Sequence, residues 1–155
     1  MILSGMVFML LAALPSQLVA STAEGELESA VIGQVNHARA GQGLAPLSRD
    51  GNLHAAAQWM AEDLASRGRL DHTDSRGRSM DERLPVFGYF NAEIMAENIA
   101  QGADRPDTVV QEWLHSKGHR ANMLHPELRQ VGVGHARNAA GMDFWVLDLG
   151  TSFRN

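Results

Sequence analysis

Phe144-Trp145-Val146-Leu147-Asp148-Leu149, close to the C-terminus, is the stretch that decides the fold. In an extended chain successive side chains point to opposite faces. Trp145, Leu147 and Leu149 then share one face, and Phe144 and Val146 the other. Both faces are apolar, so this strand is central in its sheet and covered on both sides. Just upstream, Val131 and Val133 alternate with Gly132 and Gly134, which reads as a second strand. Ala92 to Ala100 reads as a third strand or an extended buried segment.

The N-terminal half has the helical period instead. Leu27, Val31, Val35 and Ala38 recur at helical spacing from Glu24 to Ala40, and Glu24, Glu26 and Glu28 suit a helix N-terminus. Gly41-Gln42-Gly43 ends that helix, and Leu44 to Leu47 connects around Pro46. Asp50 is placed to cap a second helix reaching about Arg67, with Leu53, Ala56, Ala57, Met60 and Leu64 in one stripe and Gly68 as its stop. Asp71 to Arg78 is polar and loop-like, and a short helix spans Met80 to Leu84. A third helix is expected with Asp107 as cap, Val109, Val110, Trp113 and Leu114 as its apolar face, and Gly118 as its end. Helices first, then strands with a helix between them, give an α+β domain with helices packed on a mostly antiparallel sheet.

Composition narrows the function classes. The 155 residues are 45% hydrophobic and carry a net charge of −5, enough for one packed domain. The acidic balance argues against a nucleic-acid partner, which selects for a basic face. The absence of cysteine excludes disulfides, thiolate zinc sites and a cysteine nucleophile. Residues 1–23 carry no charged side chain, and Ile2 to Leu14 is almost wholly apolar before Ala20, Ser21, Thr22 and Ala23. This is the outline of a secretory signal peptide cleaved after Ala20 or Ala23. The apolar run of about 13 residues falls short of the ~20 needed to span a bilayer. Residues 24–155 are then a secreted or periplasmic domain with no stable membrane span.

Motif screening removes most catalytic classes. There is no G-x-S-x-G elbow, phosphate loop or H-E-x-x-H helix. Asp71, Thr73, Ser75 and Glu82 resemble a calcium loop, but Gly77 is one position too late for its turn. Ser75, Ser79 and Ser116 have no triad framework. Seven histidines remain, and interest centres on Glu112-Trp113-Leu114-His115-Ser116-Lys117-Gly118-His119. An unbroken helix would stack Glu112, His115 and His119 on one face as a local metal chelate; Gly118 argues against it.

The segment Trp113-Leu114-His115-Ser116-Lys117-Gly118-His119-Arg120-Ala121-Asn122-Met123-Leu124 resembles the signature of the CAP superfamily (cysteine-rich secretory proteins, antigen 5, pathogenesis-related 1; the SCP domain). Further motifs follow in the family's order: Asn36-x-x-Arg39, His72 in Asp-His-Thr, Arg83 with Gly88-Tyr89, Ala96-Glu97-Asn98-Ile99-Ala100, and the closing strands at Val131–Gly134 and Phe144–Val146. The match covers roughly residues 27 to 150 and, lacking cysteine, resembles the bacterial branch. The resemblance implies a three-layer α–β–α sandwich with a large cleft. It also implies a cleft tetrad of His72, Glu97, Glu112 and His119, with His115 at a variable surface position. His72 and His119 would bind a divalent cation, zinc foremost, while the glutamates orient them and hold water. The function expected is a secreted, cation-dependent binding module for a lipid, glycan or peptide. The alternative is a metal-assisted hydrolase with Glu97 or Glu112 as general base.

Overall fold

The computed structural model describes residues 16–152, with side chains from Gly25 onward. Most of the expected signal peptide therefore lies outside the described residues. From Ser16 the backbone is already helical, so the first helix begins before Glu24. The elements in chain order are α1 (Ser16–Ala40), β1 (Ser48–Arg49), α2 (Gly51–Arg67), α3 (Met80–Arg83) with a 3-10 turn over Leu84–Phe87, β2 (Ala92–Gln101), α4 (Pro106–His115), α5 (Lys117–Met123), β3 (Gln130–Arg137) and β4 (Asp143–Ser152).

The sheet order is β1-β3-β4-β2. The pairs β3–β4 and β2–β4 are antiparallel, while the short β1 runs parallel to β3. The sheet is thus mixed, though mostly antiparallel as expected. β4 is central, and eight of its residues, from Asp143 to Gly150, are buried. Its two faces divide as their alternation requires. Trp145, Leu147 and Leu149 pack with Val31 and Val35 of α1 and Val109, Val110 and Trp113 of α4. Phe144 and Val146 pack with Ala57, Met60, Ala61 and Leu64 of α2. Helices on both faces of the sheet make the three-layer α–β–α sandwich.

Two glycines set how closely α2 lies on the sheet. A Cβ at Gly132 would fall 2.2 Å from the backbone at Leu53 and His54, and one at Gly134 would fall 2.1 Å from Ala57 O. Only a residue without a side chain allows that approach. α2 itself is framed as expected: Asp50 accepts from the backbone N–H of Asn52 and Leu53, and Gly68, with φ 65°, closes the helix.

Asn36 and Arg39 tie α1 to the rest. Asn36 exchanges two hydrogen bonds with the backbone of Leu47, at 2.8 and 3.0 Å. The fully buried Arg39 guanidinium donates to the carbonyls of Ala45, Met123, His125 and Leu128. One pair of side chains on α1 thereby fixes both the loop before α2 and the segment after α5.

Two expectations about the third helix are corrected. Its cap position is Arg105, and Asp107 sits in the first turn behind Pro106. The helix does not run to Gly118. It stops at His115, Ser116 is extended (φ −87°, ψ 122°), and α5 starts at Lys117 with Gly118 inside it. The backbone N–H of Ser116 still bonds to Glu112 and Trp113, which closes α4.

Candidate functional site

The site forms over β2, at one edge of the sheet. Alternation along β2 sends Glu97 and Ile99 toward the α2 side, and Asn98 and Ala100 toward α4 and α5. Glu97 is buried, and both its oxygens are committed. Oε1 meets His72 Nδ1 at 2.8 Å, and Oε2 accepts from the Arg83 guanidinium of α3. His72 is exposed, on the loop after α2. With Nδ1–H donated to a carboxylate, the ring is held as the tautomer that leaves Nε2 free.

His119 comes from the other layer, on α5. Asn98, completely buried, donates to His119 O at 3.0 Å and accepts from Asn122 Nδ2 at 2.8 Å. These bonds pin α5 beside the strand residue that follows Glu97. His119 lies within electrostatic reach of His72. The two rings are driven apart in basicity. The hydrogen bond to Glu97 raises the His72 pKa above its ordinary 6.5. Burial, with the nearby His72 charge, lowers that of His119. Neighbouring groups with opposed shifts are a common property of functional sites.

A cavity of about 300 Å³ opens beside them, lined by Leu70, Ile99, Ala100, Gln101, Glu112, Trp113, Ser116 and His119. Its floor is apolar, and His119 and the exposed Glu112 stand at its edge. A larger open depression of about 550 Å³ lies elsewhere, between the end of α2 and the β3–β4 turn. It holds none of the four predicted residues.

The sequence-predicted tetrad is thus brought together in pairs. His72 and Glu97 are bonded, and His119 and Glu112 share one cavity. Among the described residues no group of three or more His, Asp or Glu is placed to hold a metal ion. The donors nearest one another in this region are the two imidazoles, His72 with Glu97 behind it and His119 from α5. The local chelate of Glu112, His115 and His119 is not formed. The break at Ser116 separates His115 from His119, and the exposed His115 ring bonds the carbonyl of Gln111 in its own helix at 2.7 Å. The two acids of the calcium-like loop serve local turns: Asp71 accepts from the backbone N–H of Thr73, and Glu82 from that of Ser79.

Three supporting residues lie outside the expected tetrad: Arg83 and Asn122, which the family motifs include without a role in the site, and Asp148. Only Asp148 carries a visible signal, as an acid inside an otherwise apolar central strand.

The cysteine-rich secretory protein (CAP) family model matches residues 32–149. The chain belongs to the CAP family. The CAP domain described here is 33% identical over 113 residues to protein YkwD of Bacillus subtilis, covering 73% of this chain and 44% of that one. It is 29% identical over 107 residues to the membrane protein YlbC of the same organism, covering 69% of this chain and 31% of that one. The chain therefore spans less than half the length of these curated relatives. An outer surface protein of Borrelia burgdorferi shares the CAP fold with a TM-score of 0.73 at 20% identity, over 79% of this chain and 90% of that one. An SCP-domain extracellular protein of Bacillus anthracis also reaches 0.73 at 20% identity, over 88% and 44%. Among the described residues no helix of this CAP domain is long and apolar enough to cross a membrane.

Proposed function

We propose that this CAP domain is an exported binding module whose cleft takes a lipid, glycan or peptide, with a divalent cation held between His72 and His119. The observation that carries the reading is the His72–Glu97–Arg83 relay. A buried arginine holds a buried carboxylate, which in turn fixes one exposed imidazole with its Nε2 free. A cation would take the neutral nitrogens of His72 and His119, and would supply a positive charge to a ligand's carbonyl, carboxylate or phosphate group. Only two protein nitrogens would bind, so the remaining positions stay open to water or ligand. The apolar wall of Leu70, Ile99 and Trp113 next to this polar edge suits a ligand with an apolar part and a polar head.

The hydrolase alternative narrows to one residue. Glu97 is buried with one oxygen engaged by His72 and the other by Arg83, which makes it a poorer base toward water than an exposed carboxylate. Glu112 is exposed at the cavity edge and is the remaining candidate for a general base. Export of the chain rests on the apolar leader and its small-residue exit. Mass spectrometry of protein from the medium or periplasm is expected to show a start at Ser21 or Glu24, and a population of intact cytoplasmic Met1 chains alone would refute export.

Turnover separates the two readings. Purified protein with added zinc is assayed against peptide, ester and nuclease substrates, with Glu112→Gln beside it. The binding-module reading expects no zinc-dependent turnover. Turnover that disappears in Glu112→Gln would replace it with the hydrolase.

A further inference from the structure

Beneath Glu97 lies an acid that the binding reading leaves unused. Asp148 is completely buried on β4, directly across from Glu97 of β2 and Gly132 of β3. Gly132 lets the α2 backbone close over this place. Neither Asp148 oxygen receives a hydrogen bond from a donor among the described residues. The Arg83 guanidinium stands 3.9 Å away and already serves Glu97. Arg83 Nε and Nη1 also lack partners among the described residues.

Charge counting decides the state of this cluster. One guanidinium faces two carboxyl groups in a region closed to solvent. Two ionised acids would leave a net negative charge buried, which the interior does not stabilise, and carboxyl groups sharing one site resist ionising together. Glu97 has the direct guanidinium contact and the His72 ring; Asp148 has neither. The extra proton therefore belongs on Asp148. The charged groups acting on it are Glu97 from β2 and Arg83 from α3. β3 presents Gly132 there, and the buried face of α2 at Leu53, Ala56, Ala57 and Met60 is uncharged. Burial and then the Glu97 charge push the Asp148 carboxyl well above the usual range, and Arg83 offsets only part of this.

We propose that Asp148 is a positioning residue of the cleft, whose buried O–H bonds across the strand pair to the Glu97 carboxylate and, with the Arg83 clamp, keeps Glu97 turned toward His72 Nδ1. The antiparallel register sets Glu97 directly opposite Asp148, on the same face of the sheet. The consequence is a single His72 tautomer, with Nδ1 protonated and Nε2 free. This deepens the ligand reading of His72, but its test needs neither metal nor ligand, so each can fail without the other.

Two spectroscopic readouts on the full chain decide it. Carbon-detected NMR of the Asp148 carboxyl, assigned by its loss in Asp148→Asn, is expected to show the neutral acid at pH 7. An ionised Asp148 at pH 7 would overturn the proposal. Nitrogen-15 shifts of His72 at alkaline pH are expected to report one Nδ1–H tautomer in the parent. They should report the same in Asp148→Asn, whose amide N–H replaces the acid O–H, and a mixture in Asp148→Leu. If Asp148→Leu keeps the single tautomer, or if Asp148→Asn loses it, Asp148 does not position Glu97. Should Asp148→Leu fail to fold, the parent carboxyl and the Asn rescue still decide the question.

Discussion

Adding one methyl group at Gly134 tests the layer spacing on which the sandwich rests. In Gly134→Ala the new Cβ would fall 2.1 Å from Ala57 O, 2.3 Å from Ala57 C and 2.5 Å from Gln58 N. All three are backbone atoms of α2, so no rotamer change relieves the clash. To restore an ordinary contact of 3.4 Å, α2 must retreat from β3 by about 1.3 Å. That movement would open the packing of Ala57, Met60, Ala61 and Leu64 on Phe144 and Val146. Overpacking typically costs about 1–3 kcal/mol, and a contact made entirely by backbone belongs at or above the top of that range. Against a typical total of about 5–15 kcal/mol, such a loss is large. Urea unfolding followed by tryptophan fluorescence is the assay. The midpoint should fall in proportion while the slope stays unchanged. Gly51→Ala, where nothing lies within 4 Å of the added Cβ, serves as control and should shift little. A Gly134→Ala midpoint equal to the parent's would refute the close seating of α2.

Other outcomes follow from the same packing. Gly118→Ala should stabilise the protein by roughly 0.5–1 kcal/mol, because Gly118 lies within α5 with open space at its Cβ; a destabilised variant would restore Gly118 as a helix stop. Trp113→Ala should cost about 3–5 kcal/mol in urea titration, since the ring is buried between α4 and the sheet, and an unchanged midpoint would misplace that helix face. Stability should decline as pH rises above about 6.5. His54 is raised above its ordinary value chiefly by the Glu28 carboxylate, 3.1 Å from its Nδ1, so that contribution is full below the unfolded pKa and is lost as pH rises through the higher folded one. His54→Gln should flatten the profile, and an equally steep profile in that variant would remove the pair from this role.

The parts of the fold legible in the sequence are those governed by local period and by caps. β4 could be placed at the centre because both sets of alternating residues are apolar, and the packing divides them between two helical layers as read. Asp50 and Gly68 bound α2 because their chemistry is local. The break at Ser116 was hidden: His115-Ser116-Lys117 holds neither glycine nor proline, whereas Gly118, the apparent stop, is tolerated inside α5. The two-residue β1 could not be read at all, since only its parallel pairing with β3 defines it. In the site, the His72–Glu97 pair followed from the family resemblance. Arg83 did not declare itself as a site residue, because an arginine in a four-residue helix reads as solvated. Its full burial is a tertiary effect of lying under Glu97 and Asp148.

The central claim is that His72 and His119, from opposite layers, form one cation site over β2. Zinc calorimetry on the parent and on His72→Ala, His119→Ala and His115→Ala tests it most directly. The parent should bind about one equivalent and gain melting temperature as any native-state ligand requires. His72→Ala and His119→Ala should each remove most of that binding, while His115→Ala, on the exposed end of α4, leaves it intact. Zinc binding that survives His72→Ala and disappears in His115→Ala would contradict the account.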